Sequence, residues 1–380
     1  MKIAIAGILN KPITSNSLGG TETFTYNLVN NLVQRGHEVT LFARSDSGTK
    51  ANQISICEEK DIRGVVESGI ETRFLYHLLQ SLEITKKSEE FDIIHNNYYD
   101  SFFLTPFSNW MKCPLVTTIH NDFLQFENMK RFFKETHRSG SDAFVFVSKK
   151  ARNLAGDPTD SHVIYNGVDI ADYKYESSKT EDYIFWLSRV VPPKGASEAV
   201  KIALGAGRKI IMAGKTADAP EGKQYFKEHV EKFIGKNVEF VSTPLQAEKL
   251  KLYSRAKMFL FPIQWEEPFG LVVVEANACE TPVVAYARGA MPELIKDGVT
   301  GFIVNSSEQD KRGDWVVKKT GIEGMVEAVK KIYDMPEEEY HKMRQNCRKH
   351  VEENFTVEKM VDGYEKVYQQ VIEDWKKGKQ

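Results

Sequence analysis

The chain has 380 residues, more than one hydrophobic core commonly serves, so two cores are expected. Apolar residues make up 41% and charged residues 27%, and 51 Lys plus Arg against 53 Asp plus Glu leave a formal net charge of -2. That balance excludes disorder and the broad positive field that general nucleic-acid binding requires.

The chain opens with a strand, Lys2–Ala6, then a loop and a helix from near Thr21 with Phe24, Leu28, Val29, Leu32 and Val33 at helical spacing. Gly36 stands where that helix stops, and a strand Glu38–Ala43 follows. Further strands are expected at Phe91–His95, Leu115–Ile119, Ala143–Val147 and His162–Tyr165, with helices at Thr72–Lys87 and Gln125–His137 between them. Such alternation predicts a parallel sheet with helices on both faces. The charged stretch Asp169–Asp182 reads as a linker.

A second alternating series begins after the linker. Its strands are expected at Tyr183–Ser188, Lys209–Ala213, Val238–Val241, Met258–Phe261, Val283–Ala287 and Phe302–Val304. Helices are expected at Gly195–Leu204, Glu221–Phe233, Leu245–Arg255 and Leu271–Cys279, and roughly three more from Glu323 to Lys377. The fold class is α/β, with two doubly wound Rossmann-like domains.

Compartment signals agree with one another. Cys57, Cys113, Cys279 and Cys347 lie far apart with no C-x-x-C, which suits a reducing environment. The apolar start Met1–Gly7 is too short for a secretory signal, Lys2 excludes a myristoylation site, and no C-a-a-X box closes the chain. No window approaches the ~20 apolar residues that span a bilayer. A cytoplasmic protein is expected, at most peripheral at the inner membrane face. The stretch Lys130–Lys134 mixes cations and aromatics, but it is short and flanked by acids, so a surface helix packing its Phe residues on the domain is the preferred reading.

Many chemistries lack their motifs. There is no H-E-x-x-H, no metal-ligand spacing among the nine His, no Walker A loop, no G-x-S-x-G, no G-x-G-x-x-G and no D-x-D. The positive signals cluster just after strands. Gly19-Gly20-Thr21-Glu22 is either a plain turn or a helix start that meets an anion. Arg189 and Lys194 follow a strand with the stiff pair Pro192-Pro193 between them, a placement that favours a diphosphate. Glu267 precedes a helix whose first amides, at Gly270–Val272, are free for an anion, and Glu275 lies inside that helix among apolar neighbours. His120 ends a strand and reads equally as a structural residue or a ligand contact, whereas His95 reads as sheet core.

In order along the chain, G-G-T-E, H-N-D, N-G-V-D, S-R…K-G, A-G-K, E-E-P-F-G-L-V-V-V-E-A and R-G-A-M-P-E-L-I-K-D-G-V-T-G-F resemble the retaining, nucleotide-sugar-dependent glycosyltransferases of family 4, of GT-B fold. The forms G-G-T-E and R-G-A-M-P-E are most similar to the subgroup acting on antibiotic or small saccharide acceptors. The resemblance implies an acceptor-binding domain over 1–170, joined by a last helix crossing back at 358–380, and a donor-binding domain over 171–357. It implies a donor cleft in which Arg189, Lys194 and the amides near Gly19, Gly20, Gly270 and Leu271 hold the diphosphate. Phe269 belongs to the same donor loop, Gly214 lies under the base, Glu275 takes the ribose and Glu267 the transferred sugar. His120 supports the anomeric centre. It further implies no metal or cofactor, a UDP- or GDP-linked donor as co-substrate, and a saccharide or lipid-linked acceptor.

Catalysis would then rest on fixed cations and amides aimed at the leaving diphosphate. No enzyme nucleophile stands out, so a leaving phosphate oxygen that takes the acceptor's proton is the expected route to retention. Two positions depart from the family pattern: Glu280 stands where Gly is frequent at a helix end, and Ala290 replaces the second glycine of a common pair. Two competing readings are a non-catalytic sugar-nucleotide-binding partner subunit and a GT-B phosphorylase or epimerase.

Overall fold

A computed structural model describes residues 1–17, 19–62, 71–97, 101–121, 126–173, 180–217, 219–235 and 237–378. The chain forms two units, one of Met1–Gly167 with Val357–Gln380 and one of Val168–Thr356.

The first unit is built on β1 (Lys2–Ala6), β2 (Glu38–Arg44), β3 (Asn52–Cys57), β4 (Ile93–Asn96), β5 (Leu115–Ile119), β6 (Ala143–Phe146) and β7 (Ser161–Val163). They form one parallel sheet in the order β3-β2-β1-β4-β5-β6-β7. The central strands are continuous apolar runs because helices cover both faces, and Ile3, Ile5, Ile93, Ile94 and Val116 are fully buried. The strand order reverses between β1 and β4, the position where open α/β sheets bind ligands beyond their carboxyl ends.

The final helix, Val357–Lys377, returns to this unit and packs on the first helix, Gly20–Gln34. Its Tyr364 and Tyr368 are fully buried. Tyr368 Oη lies 2.6 Å from His95 Nδ1, His95 Nε2 2.7 Å from Thr118 Oγ1, and that hydroxyl 3.0 Å from Tyr364 Oη. His95 is therefore core, as its position inside a strand implies. Arg35 clamps the outer face of the helix through Asp362 at 2.6 Å and Glu365 at 2.7 Å.

The second unit carries β8 (Ile184–Leu187), β9 (Ile210–Gly214), β10 (Val238–Ser242), β11 (Met258–Phe261), β12 (Val283–Tyr286) and β13 (Gly301–Val304). They too are parallel, in the order β10-β9-β8-β11-β12-β13, so the order reverses between β8 and β11. Trp186, Val200, Leu260, Met325 and Val329 lie at the centre of its core.

Several elements differ from the sequence expectation. The edge strand β3 was not expected, because N-Q-I-S-I-C lacks an apolar run and only Cys57 in it is buried. The expected helix Glu221–Phe233 ends at His229, where Val230 leaves helical geometry at φ -127 and a 3-10 turn, Glu231–Phe233, follows. A six-residue helix, Lys149–Leu154, capped by Ser148 Oγ accepting from the Ala151 amide at 3.0 Å, was also not expected. Of the expected linker, Ile170–Tyr173 forms a 3-10 turn and 174–179 lie outside the described residues. The helix expected from Gln125 runs Glu127–Thr136, and Gln125 itself lies outside the described residues.

Candidate active site

Each unit presents polar side chains at the carboxyl ends of its strands. In the second unit β8 delivers Arg189, which is exposed and makes no ion pair among the described residues. Pro192–Lys194 forms a 3-10 turn that ends at Gly195 with φ 71. A Cβ there would sit 2.0 Å from the Pro262 carbonyl oxygen, so only glycine lets this turn close on the end of β11. The Gln264 amide completes the closure by donating to the Pro193 carbonyl at 2.9 Å.

That contact sets Lys194 beside the acidic loop. Lys194 Nζ donates to Glu267 Oε2 at 2.5 Å, Trp265 Nε1 donates to the same oxygen at 2.9 Å, and the ammonium lies 4.6 Å from the Trp265 ring centroid. Both members of the ion pair are only 13% exposed. Glu267 Oε1 accepts from none of the described residues, which leaves it for a ligand hydroxyl. The Glu267 backbone is fixed from behind: the Ala290 amide donates to its carbonyl at 2.9 Å, and a Cβ on Gly289 would meet that oxygen at 2.1 Å. Glu266 turns the other way, to the Gly289 amide at 2.8 Å and to Arg312 at 2.7 Å.

Gly270 caps the helix Leu271–Ala278 in left-handed geometry, and the first amides of that helix have no intrahelical acceptor. Phe269 is buried, with its ring 6.1 Å from that of Phe355, so the side chain serves the core. Gly214 ends β9 where a Cβ would strike the Ser188 carbonyl at 1.8 Å, a close approach that holds β8 and β9 together at the site edge. A groove of about 480 Å³ runs alongside, lined in part by Pro192, Pro193, Tyr225, His229 and Trp265.

Glu275 belongs to a different cluster. It accepts from Tyr173 Oη at 3.0 Å, Lys249 Nζ at 3.0 Å and Tyr253 Oη at 3.2 Å, and is 7% exposed. Burial, reinforced by the carboxylate itself, pushes both phenols well above their usual range, so they stay protonated donors. No hydrogen bond or ion pair joins Glu275 to Lys194 or Glu267 among the described residues. Tyr173 comes from the 3-10 turn Ile170–Tyr173, and Lys249 and Tyr253 lie one turn apart on the helix Gln246–Arg255, so only the fold brings these two segments to Glu275.

In the first unit His120 follows β5 and Asn97 follows β4. His120 Nε2 makes a short hydrogen bond to Asn97 Oδ1, Asn97 Nδ2 donates to Thr25 Oγ1 at 2.5 Å, and Thr25 Oγ1 donates to the Thr21 carbonyl at 2.7 Å. Because the Asn97 amide nitrogen serves Thr25, its oxygen is the acceptor and the His120 proton sits on Nε2. His120 Nδ1 is then an acceptor that no described residue uses. Burial holds the imidazole down to about 3, so it is neutral near pH 7. Phe24 supports the ring edge-on at 4.7 Å between centroids. Asn97 was missed; its signal was adjacency to His95-Asn96 at a strand end.

Gly19 is the N-cap of the helix Gly20–Gln34, but the Glu22 carboxylate folds back over it. A Cβ on Gly19 would lie 2.1 Å from Glu22 Oε2, so a carboxylate already occupies the space an anion would take. Leu18, 98–100 and Asp122 of H-N-D lie outside the described residues.

Comparison with known proteins identifies the class. The model of Glycosyltransferase Family 4 matches residues 18–172, and that of Glycosyl transferases group 1 matches residues 169–350. The chain belongs to these GT-B glycosyltransferases. A D-inositol 3-phosphate glycosyltransferase of Mycobacterium marinum is 23% identical over 82% of this chain and 76% of its own length; that of Mycobacterium avium is 24% identical over 82% and 84%. Among solved structures, sucrose-phosphate synthase of Thermosynechococcus elongatus superposes with a TM-score of 0.76 at 18% identity, covering 98% of this chain and 99% of that one. An Anabaena protein in complex with UDP and glucose gives 0.71 at 19% identity, covering 97% and 99%. A glycosyltransferase involved in avilamycin A biosynthesis gives 0.65 at 20% identity, covering 98% of both chains.

Proposed function

We propose that this glycosyltransferase moves a hexose from a nucleoside-diphosphate sugar to a hydroxyl acceptor with retention of anomeric configuration and without a metal ion. The observation that carries the reading is the Arg189, Lys194, Trp265 and Glu267 group at the switch point of the second sheet. Arg189 is a free cation and Lys194 has N–H groups beyond the one given to Glu267, so both can meet a diphosphate. Charge grows on that diphosphate as the anomeric bond breaks, and cations already fixed in place favour the transition state over the ground state. Glu267 Oε1 accepts from a hydroxyl of the transferred sugar, and the amides of the helix Leu271–Ala278 add donors for phosphate oxygens.

The proposal assigns the donor to the second unit, the acceptor and His120 to the first, and a UDP- or GDP-linked sugar as donor. The relatives are a D-inositol 3-phosphate glycosyltransferase by name and an Anabaena protein seen with UDP and glucose, both consistent with this assignment. Glu275, set among three donors, takes the ribose diol only by adding a hydroxyl to a carboxylate that is already well served. The leaving phosphate oxygen accepts the acceptor's proton, with no glycosyl-enzyme intermediate. The test is turnover with UDP- and GDP-hexoses in the presence of EDTA, with the product's anomeric configuration read by NMR. Transfer with retention is expected; inversion, a trapped covalent glycosyl-enzyme, or loss of transfer with EDTA would refute the corresponding part.

A further inference from the structure

The helix Thr72–Lys86 is amphipathic in reverse. Its inward side carries His77, Gln80, Ser81 and Ile84, all buried and three of them polar. The polar groups have tasks there: Gln80 Nε2 donates to the Gly7 and Phe42 carbonyls, each at 2.8 Å, and Ser81 Oγ to the His77 carbonyl at 2.9 Å. Its outward side carries Leu75, Leu78, Leu79 and Leu82, exposed by 40, 44, 53 and 41%. The spacing i, i+3, i+4, i+7 makes them one stripe, where a helix facing water carries charge. Four leucines in line are a patch that calls for a partner.

The surroundings indicate which partner. Lys86, one turn past Leu82, continues the stripe as an exposed cation with no carboxylate partner among the described residues. The segment Thr105–Trp110 packs against this helix and against the helix Glu127–Thr136, and ends in Trp110, 67% exposed. Ring contacts of Phe74 with Phe103 at 5.6 Å and of Phe102 with Phe132 at 6.2 Å link the two helices through the preceding turn, Ser101–Phe103. On the helix Glu127–Thr136, Phe133 is buried in the unit, while Arg131 and Lys134 are exposed and likewise unpaired among the described residues.

We propose that this face rests on an anionic lipid bilayer, with the four leucines entering the headgroup boundary, Trp110 at the interface and the cations against lipid phosphates. Leucine, tryptophan and lysine together are the chemistry of a helix lying in that boundary. A second copy of the chain fits less well: the four leucines together expose less than two whole leucine side chains, far short of the ~800 Å² per partner of a standard interface. The assignment does not rest on the transferase reading.

The experiment is flotation of the full chain with vesicles of phosphatidylcholine alone and of phosphatidylcholine with about a third phosphatidylglycerol, at low and moderate salt. The wild-type chain is expected to float with the anionic vesicles. The double variant Leu78→Glu, Leu79→Glu should lose roughly tenfold or more of that binding, and Lys86→Glu should lose less. All three positions are exposed, so melting temperature and nucleotide binding, measured on the same samples, should not change. No flotation, or equal flotation of the double variant, overturns the proposal. A dimer in sedimentation that the double variant abolishes would overturn it too, and would give the face to a second copy.

Discussion

Between Thr25 and His120 the Asn97 amide has one workable orientation, because its nitrogen serves a hydroxyl and its oxygen an imidazole N–H. The consequence reaches His120 Nδ1, which is left as an acceptor, and an acceptor suits a sugar hydroxyl rather than a phosphate. Asn97→Asp puts a negative charge where the amide oxygen was, and an adjacent negative charge favours imidazolium. Burial holds the His120 imidazole down to about 3; in the variant its protonation, read from the ring resonances, should move up toward that of an ordinary histidine, and the acid limb of kcat/KM should rise with it. Asn97→Ala should instead lower kcat more than it raises KM, since it frees the ring to rotate and change tautomer. A titration and pH profile unmoved by Asn97→Asp would remove Asn97 from this role. The His120 position was legible in the sequence from its strand end; the Asn97 partnership was not, since it depends on β4 and β5 being neighbours in register.

At the scale of the element, the helix Leu271–Ala278 ends in a Schellman motif. The Thr281 amide donates to the Ala276 carbonyl at 2.9 Å and the Glu280 amide to the Asn277 carbonyl at 3.0 Å. This geometry puts Glu280 at φ 59, a left-handed conformation that costs an ordinary residue about 1 kcal/mol. The departure from glycine noted in the sequence thus leaves the helix end intact and strained. Glu280→Gly is expected to stabilise the second unit by about 0.5–1 kcal/mol, less what glycine loses in the unfolded chain. The loose contact of Glu280 with Arg344, 3.9 Å, offsets little of that. Thermal melting measures it, and an unchanged or lower midpoint would contradict it. Central strands were legible because burial on both faces leaves them purely apolar; β3 was not, because one side of an edge strand meets water. The helix Thr72–Lys86 was legible as a helix and illegible in orientation: periodicity marks an apolar stripe but not that the stripe faces out.

For the whole molecule, ionisable groups are shared unequally between the two units. Burial lowers His77 to about 4 and His95 and His120 to about 3, all in the first unit, while in the second unit His350 is lowered to about 4. A folded-state value below the unfolded one means that the unfolded chain takes up the proton first. The stability these groups contribute is therefore complete above their ordinary range near 6.5 and is lost as pH falls toward 4. Each can cost up to about 1.4 kcal/mol per pH unit in that window. Hydrogen exchange between pH 7 and 5 should show the β4 and β5 amides losing protection faster than those of β8 and β11; the reverse order would contradict this. The two-unit architecture followed from alternation and length, and the second-unit site from cations and an acid placed just after strands. The Glu275 cluster did not, since Tyr173, the helix that carries Lys249 and Tyr253, and Glu275 meet only in the fold. Calorimetric titration of UDP and GDP into the wild-type chain and Arg189→Ala in EDTA tests whether the switch point of the second sheet holds a nucleoside diphosphate. Arg189 is exposed and unpaired among the described residues, so the variant is expected to keep its fold. Binding of one nucleotide is expected, with a loss of roughly tenfold or more in the variant, the worth of one charge-assisted contact. Equal affinity in both proteins, or no binding by either, would contradict it.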